Sequence, residues 1–114
     1  MSLYKNAAKF DTLRSISAAS LTGSFAAVGV ALPSPAVVLT FKNATNGDVI
    51  ISTDGVNDML FLPANSFNVF DIKTNAPILQ DYMFKQGTVF YAKDGTTAST
   101  SGSFYIEAVI VERV

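Results

Sequence analysis

Apolar and polar positions alternate with period two through most of the chain after residue 20. Val37, Leu39 and Phe41 alternate with Val38, Thr40 and Lys42, as in a strand with one face on a core. Asn43-Ala44-Thr45-Asn46-Gly47-Asp48 supplies turn chemistry, with Asn46-Gly47 suited to positive φ, before Val49-Ile50-Ile51-Ser52 resumes extended structure. This spacing predicts a hairpin of residues 37–42 and 49–52. A second polar turn, residues 53–58, leads into Met59-Leu60-Phe61-Leu62, which Pro63 ends. Residues 66–72 form another strand, with Phe67, Val69 and Asp71 on one side and Asn68, Phe70 and Ile72 on the other. Aromatics on both sides imply burial on both sides, by a second sheet and by a neighbour or loop.

Residues 73–77 read as a loop, and residues 78–84 fit no single template. Gly87 opens a strand over residues 88–93, and residues 94–102 read as an exposed, mobile loop of Asp, Gly, Thr, Ala and Ser. The last strand, residues 103–113, is the longest. Phe104, Ile106, Ala108 and Ile110 face one way; Tyr105, Glu107, Val109 and Val111 face the other. Seven or eight short strands with a turn about every ten residues, and no long helix, predict an all-β fold. The expected architecture is an antiparallel β-sandwich, jelly-roll or immunoglobulin-like.

The beginning of the chain behaves differently. Leu3, Ala7, Phe10 and Leu13 fit one helical face, yet no strong cap precedes them and Ser dominates after Arg14. Residues 1–20 are therefore expected to form an N-terminal arm or short helix, and residues 21–114 the sandwich domain; a first strand along the same sandwich is the other possibility. Leu3, Tyr4, Phe10 and Leu13 are the side chains through which this segment is expected to contact another protein. Residues 15–41 carry no charge, but Ser, Thr, Gly and Pro interrupt the run, so it lacks the apolar span of a membrane helix. It also lacks the clean apolar stretch of a secretory signal, so export is not expected.

Composition narrows the chemistry. The 114 residues include no Cys, His or Trp, which removes thiolate nucleophiles, disulfides, zinc fingers and the commonest general base. Eight Lys and Arg against nine Asp and Glu give a formal net charge of -1, and the basic residues are scattered, so a nucleic-acid partner is not expected. Charged residues make up only 15% of the chain, against about a quarter in an average soluble domain. Such depletion suits a subunit whose surface is covered by neighbours; a compact β-protein rich in Ser, Thr and Asn explains it equally.

Three constellations are candidates for chemistry. Asp54, Asn57 and Asp58, with Gly55 between them, could offer oxygen ligands to Ca²⁺, although the same residues are ordinary turn formers. Asp71, Asp81, Glu107 and Glu112 are carboxylates near strands, but nothing in their spacing pairs them. Tyr82, Phe84, Phe90, Tyr91 and Tyr105 could stack on a sugar, a role that core packing and subunit contact explain as well. No nucleophile elbow or phosphate loop occurs. An enzyme is not expected, nor is a cofactor.

Several segments stand in a telling order: Leu21-Thr22-Gly23-Ser24-Phe25 with Gly29, Ile51 to Asp58, Leu62-Pro63-Ala64, Phe70 to Asn75, Lys85-Gln86-Gly87-Thr88, and Ser101 to Tyr105. In that order they resemble small virion structural proteins of tailed bacteriophages. The resemblance spans about Leu21 to Val111 and implies a non-enzymatic sandwich subunit, either decorating a capsid or forming part of the head–tail connector or tail. It also implies synthesis in the host cytoplasm and residence in the virion. The expected partners are copies of the chain itself, as a homo-oligomer, and other virion proteins, with no membrane. The alternative is a carbohydrate- or receptor-binding β-module.

Overall fold

The computed structural model describes residues 6–71 and 84–113, and the side chains of residues 8–71 and 84–111. The fold is all-β, two antiparallel sheets packed face to face. The strands are β1 (Asn6–Phe10), β2 (Arg14–Ser17), β3 (Ala26–Ala27), β4 (Ala36–Asn43), β5 (Val49–Ser52), β6 (Leu60–Leu62), β7 (Ser66–Asp71), β8 (Tyr91–Asp94) and β9 (Ser103–Arg113).

The topology is that of one long hairpin folded at residues 53–59. Four antiparallel pairings nest inside one another: β5 with β6 at the tip, then β4 with β7, β3 with β8, and finally β1 and β2 with β9. Rolling this hairpin up pairs β4 with β9 and β5 with β8. The result is a first sheet ordered β1/β2-β9-β4-β7 and a second ordered β3-β8-β5-β6. With β1 and β2 taken as one interrupted strand, these are the eight strands of a jelly roll, which resolves the choice the sequence left open.

The alternation on β9 sets the core. Phe104, Ile106, Ala108 and Ile110 are all at or below 1% exposure, facing Leu39 and Phe41 of β4 and, from the other sheet, Val49, Ile51, Phe90 and Ala92. Phe41 sits at the centre, with ring centroids 5.7 Å from both Phe70 and Phe90 and 6.4 Å from Phe104. A bulge between Ala36 and Val38 buries Ala36 and Val37 together.

Three expectations need correction. Residues 43–48 do not close a hairpin: β4 and β5 belong to different sheets, and the segment carries the chain from one layer to the other. The buried Asn43 side chain directs the crossing. Its Nδ2 donates to the carbonyls of Gly47, Leu62 and Pro63, while its Oδ1 accepts from the Thr45 amide and hydroxyl. Secondly, the described part of the expected arm or short helix is sheet. Asn6–Phe10 pairs along Arg113 to Val109, and Arg14–Ser17 pairs along Ile106 to Ser103. The only helical turn there is three residues of 3₁₀ helix, Ala18–Ser20. Period-three spacing of apolar residues loses to the free ladder groups of β9.

Thirdly, the loop at residues 95–102 is pinned rather than loose. Asp94 Oδ1 accepts from the Ser99 amide and hydroxyl, and Asn46 Oδ1 accepts from the amides of Thr100 and Ser101. A Cβ on Gly102, at φ 87°, would lie 2.1 Å from the Ala44 carbonyl oxygen, so only glycine allows the two loops to meet.

The Asn43 knot supplies a stability test. Asn43→Ala leaves the carbonyls of Gly47, Leu62 and Pro63 without their shared donor in a dry site. The expected loss is about 2–4 kcal/mol, read as a lower midpoint in urea unfolding.

Candidate assembly surface

The two sheets differ in what covers their outer faces. On the second sheet, Lys93 of β8 lies under the Phe25 ring, 4.6 Å from its centroid, and binds Asp58 at 2.8 Å. Tyr91 is tucked beneath Gly55, whose positive φ of 74° and missing Cβ let the turn lie on the ring. The chain's own loops therefore dress part of that face, while Phe61 of β6, in register with Ile50 and Lys93, stays 51% exposed at its edge.

The first sheet has no comparable dressing among the described residues. Its ladder register places Phe10, Val109, Val38 and Asp71 in one row across the four strands. Glu107, Thr40 and Val69 form the next row, and Tyr105, Lys42 and Phe67 the third. Residues directly opposite share a face, so all of these point away from the core. Phe10 is 84% exposed, Phe67 69% and Val69 48%. The Val38 and Val109 side chains lie lower, half-buried between their neighbours. Lys42 and Glu107, each about half exposed, meet diagonally at 3.1 Å in the middle of the face. An antiparallel sheet with one free face ordinarily turns polar residues to water; this one interleaves Thr40, Lys42, Glu107, Tyr105 and Asp71 with the exposed apolar side chains of Phe10, Phe67 and Val69.

The face ends at a corner made by the bend between β1 and β2. Arg14 points to the inner side of β2 and is buried. Its Nε donates to the Val30 carbonyl and its Nη atoms to the carbonyls of Thr12 and Ala31. The counter-charge is Asp11, whose Oδ2 lies 2.7 Å from Nη1 in a charge contact without an aligned hydrogen bond. A Cβ on Gly29, at φ 73°, would strike Arg14 Cγ at 2.6 Å, so glycine admits the guanidinium stem. With Arg14 holding residues 11–14 against 29–31, Leu13 and Val30 are left exposed at 54% and 73%. The expected contact residues Phe10 and Leu13 thus flank one exposed apolar corner. Leu3 and Tyr4 lie outside the described residues.

The remaining candidates separate. Asp54 is the acceptor of its own turn: Oδ1 takes the amides of Val56 and Asn57 and the Ser52 hydroxyl, and Oδ2 takes the Asn57 side-chain amide. Asp58 is committed to Lys93 instead. The three residues expected for Ca²⁺ thus sit in one loop, where Asn57 donates its side-chain amide to Asp54 and Asp58 pairs with Lys93. No group of three or more acidic ligands converges among the described residues. Of the carboxylates near strands, Asp71 and Glu107 lie on the outer face of the first sheet; Asp81 and the Glu112 side chain lie outside the described residues. The aromatics considered for sugar stacking do not share a surface. Phe90 is core, Tyr91 lies under the Gly55 turn, Tyr105 is on the opposite sheet, Phe84 packs against the core, and Tyr82 lies outside the described residues.

A hollow of about 400 Å³ opens between β5 and β7. Its described walls are Phe41, Ile51, Met59, Leu60, Phe70, Phe84 and Phe90, with Ser52 and Thr53 the only polar residues. No acid–base pair lines it, so its walls offer apolar packing and two hydroxyls. No helix among the described residues is long and apolar enough to cross a membrane. No protein-family model, curated protein or solved structure matches the chain.

The Asp54 turn generates a pH prediction. The Asn57 and Val56 amides, with the Ser52 hydroxyl and the Asn57 side chain, hold its carboxyl well below the usual carboxylate range. The ionised form is therefore favoured by folding. This contribution is complete above the unfolded value of about 3.9 and is lost as the pH falls below it toward the folded value. The melting temperature of the protein should fall with acidification below about pH 4, and Asp54→Ala should fall less over the same range in a calorimetric pH series.

Proposed function

We propose that the chain is a non-enzymatic structural protein of a tailed-phage virion, assembling through the exposed apolar face of its first sheet as a capsid decoration or as a head–tail connector or tail subunit. The observation that carries the assembly reading is that face, with Phe10, Phe67 and Val69 turned to solvent, whereas loops of the chain lie over part of the opposite sheet. Large exposed apolar areas on a small protein are sites of contact with another molecule. Placement in a virion rests on the order of sequence segments given above. The fold is compatible with it, since jelly rolls occur in capsid proteins, but also in lectins and cupins.

A non-enzymatic role is supported by the absence of His and Cys from the sequence and by the geometry of its carboxylates. Glu107 is neutralised by Lys42, Asp58 by Lys93, and Asp54 is sequestered in its turn. None faces a second carboxylate across a cleft among the described residues.

The double variant Phe67→Ser, Val69→Thr tests the reading. Both side chains are exposed, so folding stability should hold while the contact weakens. The number of copies per purified particle should drop by about tenfold or more, since ~1.4 kcal/mol suffices for a factor of ten and each apolar side chain contributes at least that when buried. Full incorporation of this variant would remove the face from the account.

A further inference from the structure

The face described above is self-complementary, and this identifies its partner. The described charges on it are Lys42 and Glu107 at its centre, of opposite sign and 3.1 Å apart, and Asp71 at the end of the β7 edge. We propose, building on the reading of this face as an assembly surface, that the molecule docked on it is a second copy of the chain. The two copies are related by a two-fold axis that bisects the Lys42–Glu107 pair and lies in the plane of contact, so that Lys42 of each copy is set over Glu107 of the other.

Three observations support this. The first is charge. A two-fold axis brings every residue near it opposite a residue of the same patch. A patch with one sign of charge would repel itself, whereas here the same operation puts each charge over its opposite and turns one intramolecular pair into a four-membered alternating cluster.

The second is relief. Flattening the ladder at about 4.8 Å between strands and ~3.4 Å between residues and applying this axis carries Phe67 of one copy onto Val38 and Val109 of the other. Phe67 is one of the most prominent side chains of the face, whereas Val38 and Val109 are adjacent in register and lie low. The projecting ring therefore meets a shallow apolar seat, twice by symmetry. Strand directions in the two copies cross steeply, which is one of the two ordinary ways for sheets to stack.

The third is size. Strands of 5, 11, 8 and 6 residues lie side by side in β1, β9, β4 and β7, which gives a flat projection of roughly 500 Å². Side-chain relief raises the accessible area above its projection, toward the ~800 Å² per partner of a standard stable interface. The second sheet offers a smaller surface, because Phe25 and the Asp54 turn lie over β8 and leave Phe61 exposed at the β6 edge.

The test uses reversed charges in the full chain. Lys42→Glu gives a face with two negative charges, and Glu107→Lys a face with two positive ones. By sedimentation velocity the unaltered protein should be a dimer at tens of micromolar. Each variant alone should dissociate about tenfold or more readily, because every copy now faces its own sign. An equimolar mixture of the two variants should re-form a dimer close to the original in strength. Only contact between molecules produces that rescue; restoring the pair within one chain does not.

Circular dichroism melts of each variant establish that it is folded. Phe67→Ser supplies an uncharged check, since it removes the projecting ring and should dissociate the dimer. A mixture no tighter than either variant alone, or an unaltered protein that remains monomeric at about 100 μM, overturns the second-copy arrangement. If the protein is monomeric and yet Phe67→Ser, Val69→Thr is lost from particles, the face binds a different virion protein and only the present inference falls. If particle incorporation is also unaffected, the assembly reading falls with it.

Discussion

A strand of eleven residues inside a sheet presents ladder groups on both edges, and each must find a partner or remain open to water. In this protein that strand is β9, and satisfying it organises the first sheet. β4 runs along one edge and no single strand covers the other, so β1 and β2 share it in succession. The break between them, at residues 11–13, is where a polar side chain is drawn inward: Arg14 spans the gap and ties the sheet edge to the carbonyls of Val30 and Ala31. The apolar corner of Phe10 and Leu13 is thus a by-product of how β9 is paired.

The same strand connects fold to function. Its inward residues build the core with Phe41 and Phe90, and its outward residues, Tyr105, Glu107, Val109 and Val111, form the middle of the uncovered face. Large apolar side chains on both sides of a sheet call for burial on both, and among the described residues nothing covers the exposed Phe10, Phe67 and Val69. The other sheet is covered in larger part, because Phe25, Asp58 and the Gly55 turn close over Lys93 and Tyr91 and leave Phe61 half exposed. This asymmetry between two sheets of one sandwich is the physical basis for reading the molecule as a subunit.

Much of this was legible in the sequence where a signal was local. Period-two alternation marked β4, β7 and β9 with the correct faces. Three features were not legible. Residues 43–48 carry good hairpin chemistry, and only the tertiary environment of Asn43, whose amide reaches carbonyls of Leu62 and Pro63 about twenty positions away, shows that they cross between layers. The strands at residues 6–17 were obscured by helix-like spacing, since pairing is decided by what β9 leaves open rather than by their own pattern. The pinned loop at residues 95–102 looked mobile because its partners, Asn46 and Gly47, lie some fifty residues upstream. The outer face of the first sheet is an intermediate case: the side of β7 that carries Phe67 was visible, but Phe67, expected beneath a neighbour or loop, is exposed in the single chain, and the opposite charges at the centre meet only through the register of β4 on β9.

The nested pairing has a consequence for how the chain reaches this structure. Closing a loop costs more entropy the longer it is, and the pairings form a graded series. β5 and β6 enclose seven residues, whereas the outermost pairing joins Asn6 to Arg113. The least costly order of events starts at the Asp54 turn, which its own carboxylate organises without help from distant residues, and proceeds outward one pair at a time as each closed pair shortens the loop left to close. Such a route resembles a zipper with its slider at residues 53–59. The central strand of the first sheet, β9, arrives last, and the outer face proposed for assembly is finished only when folding is finished.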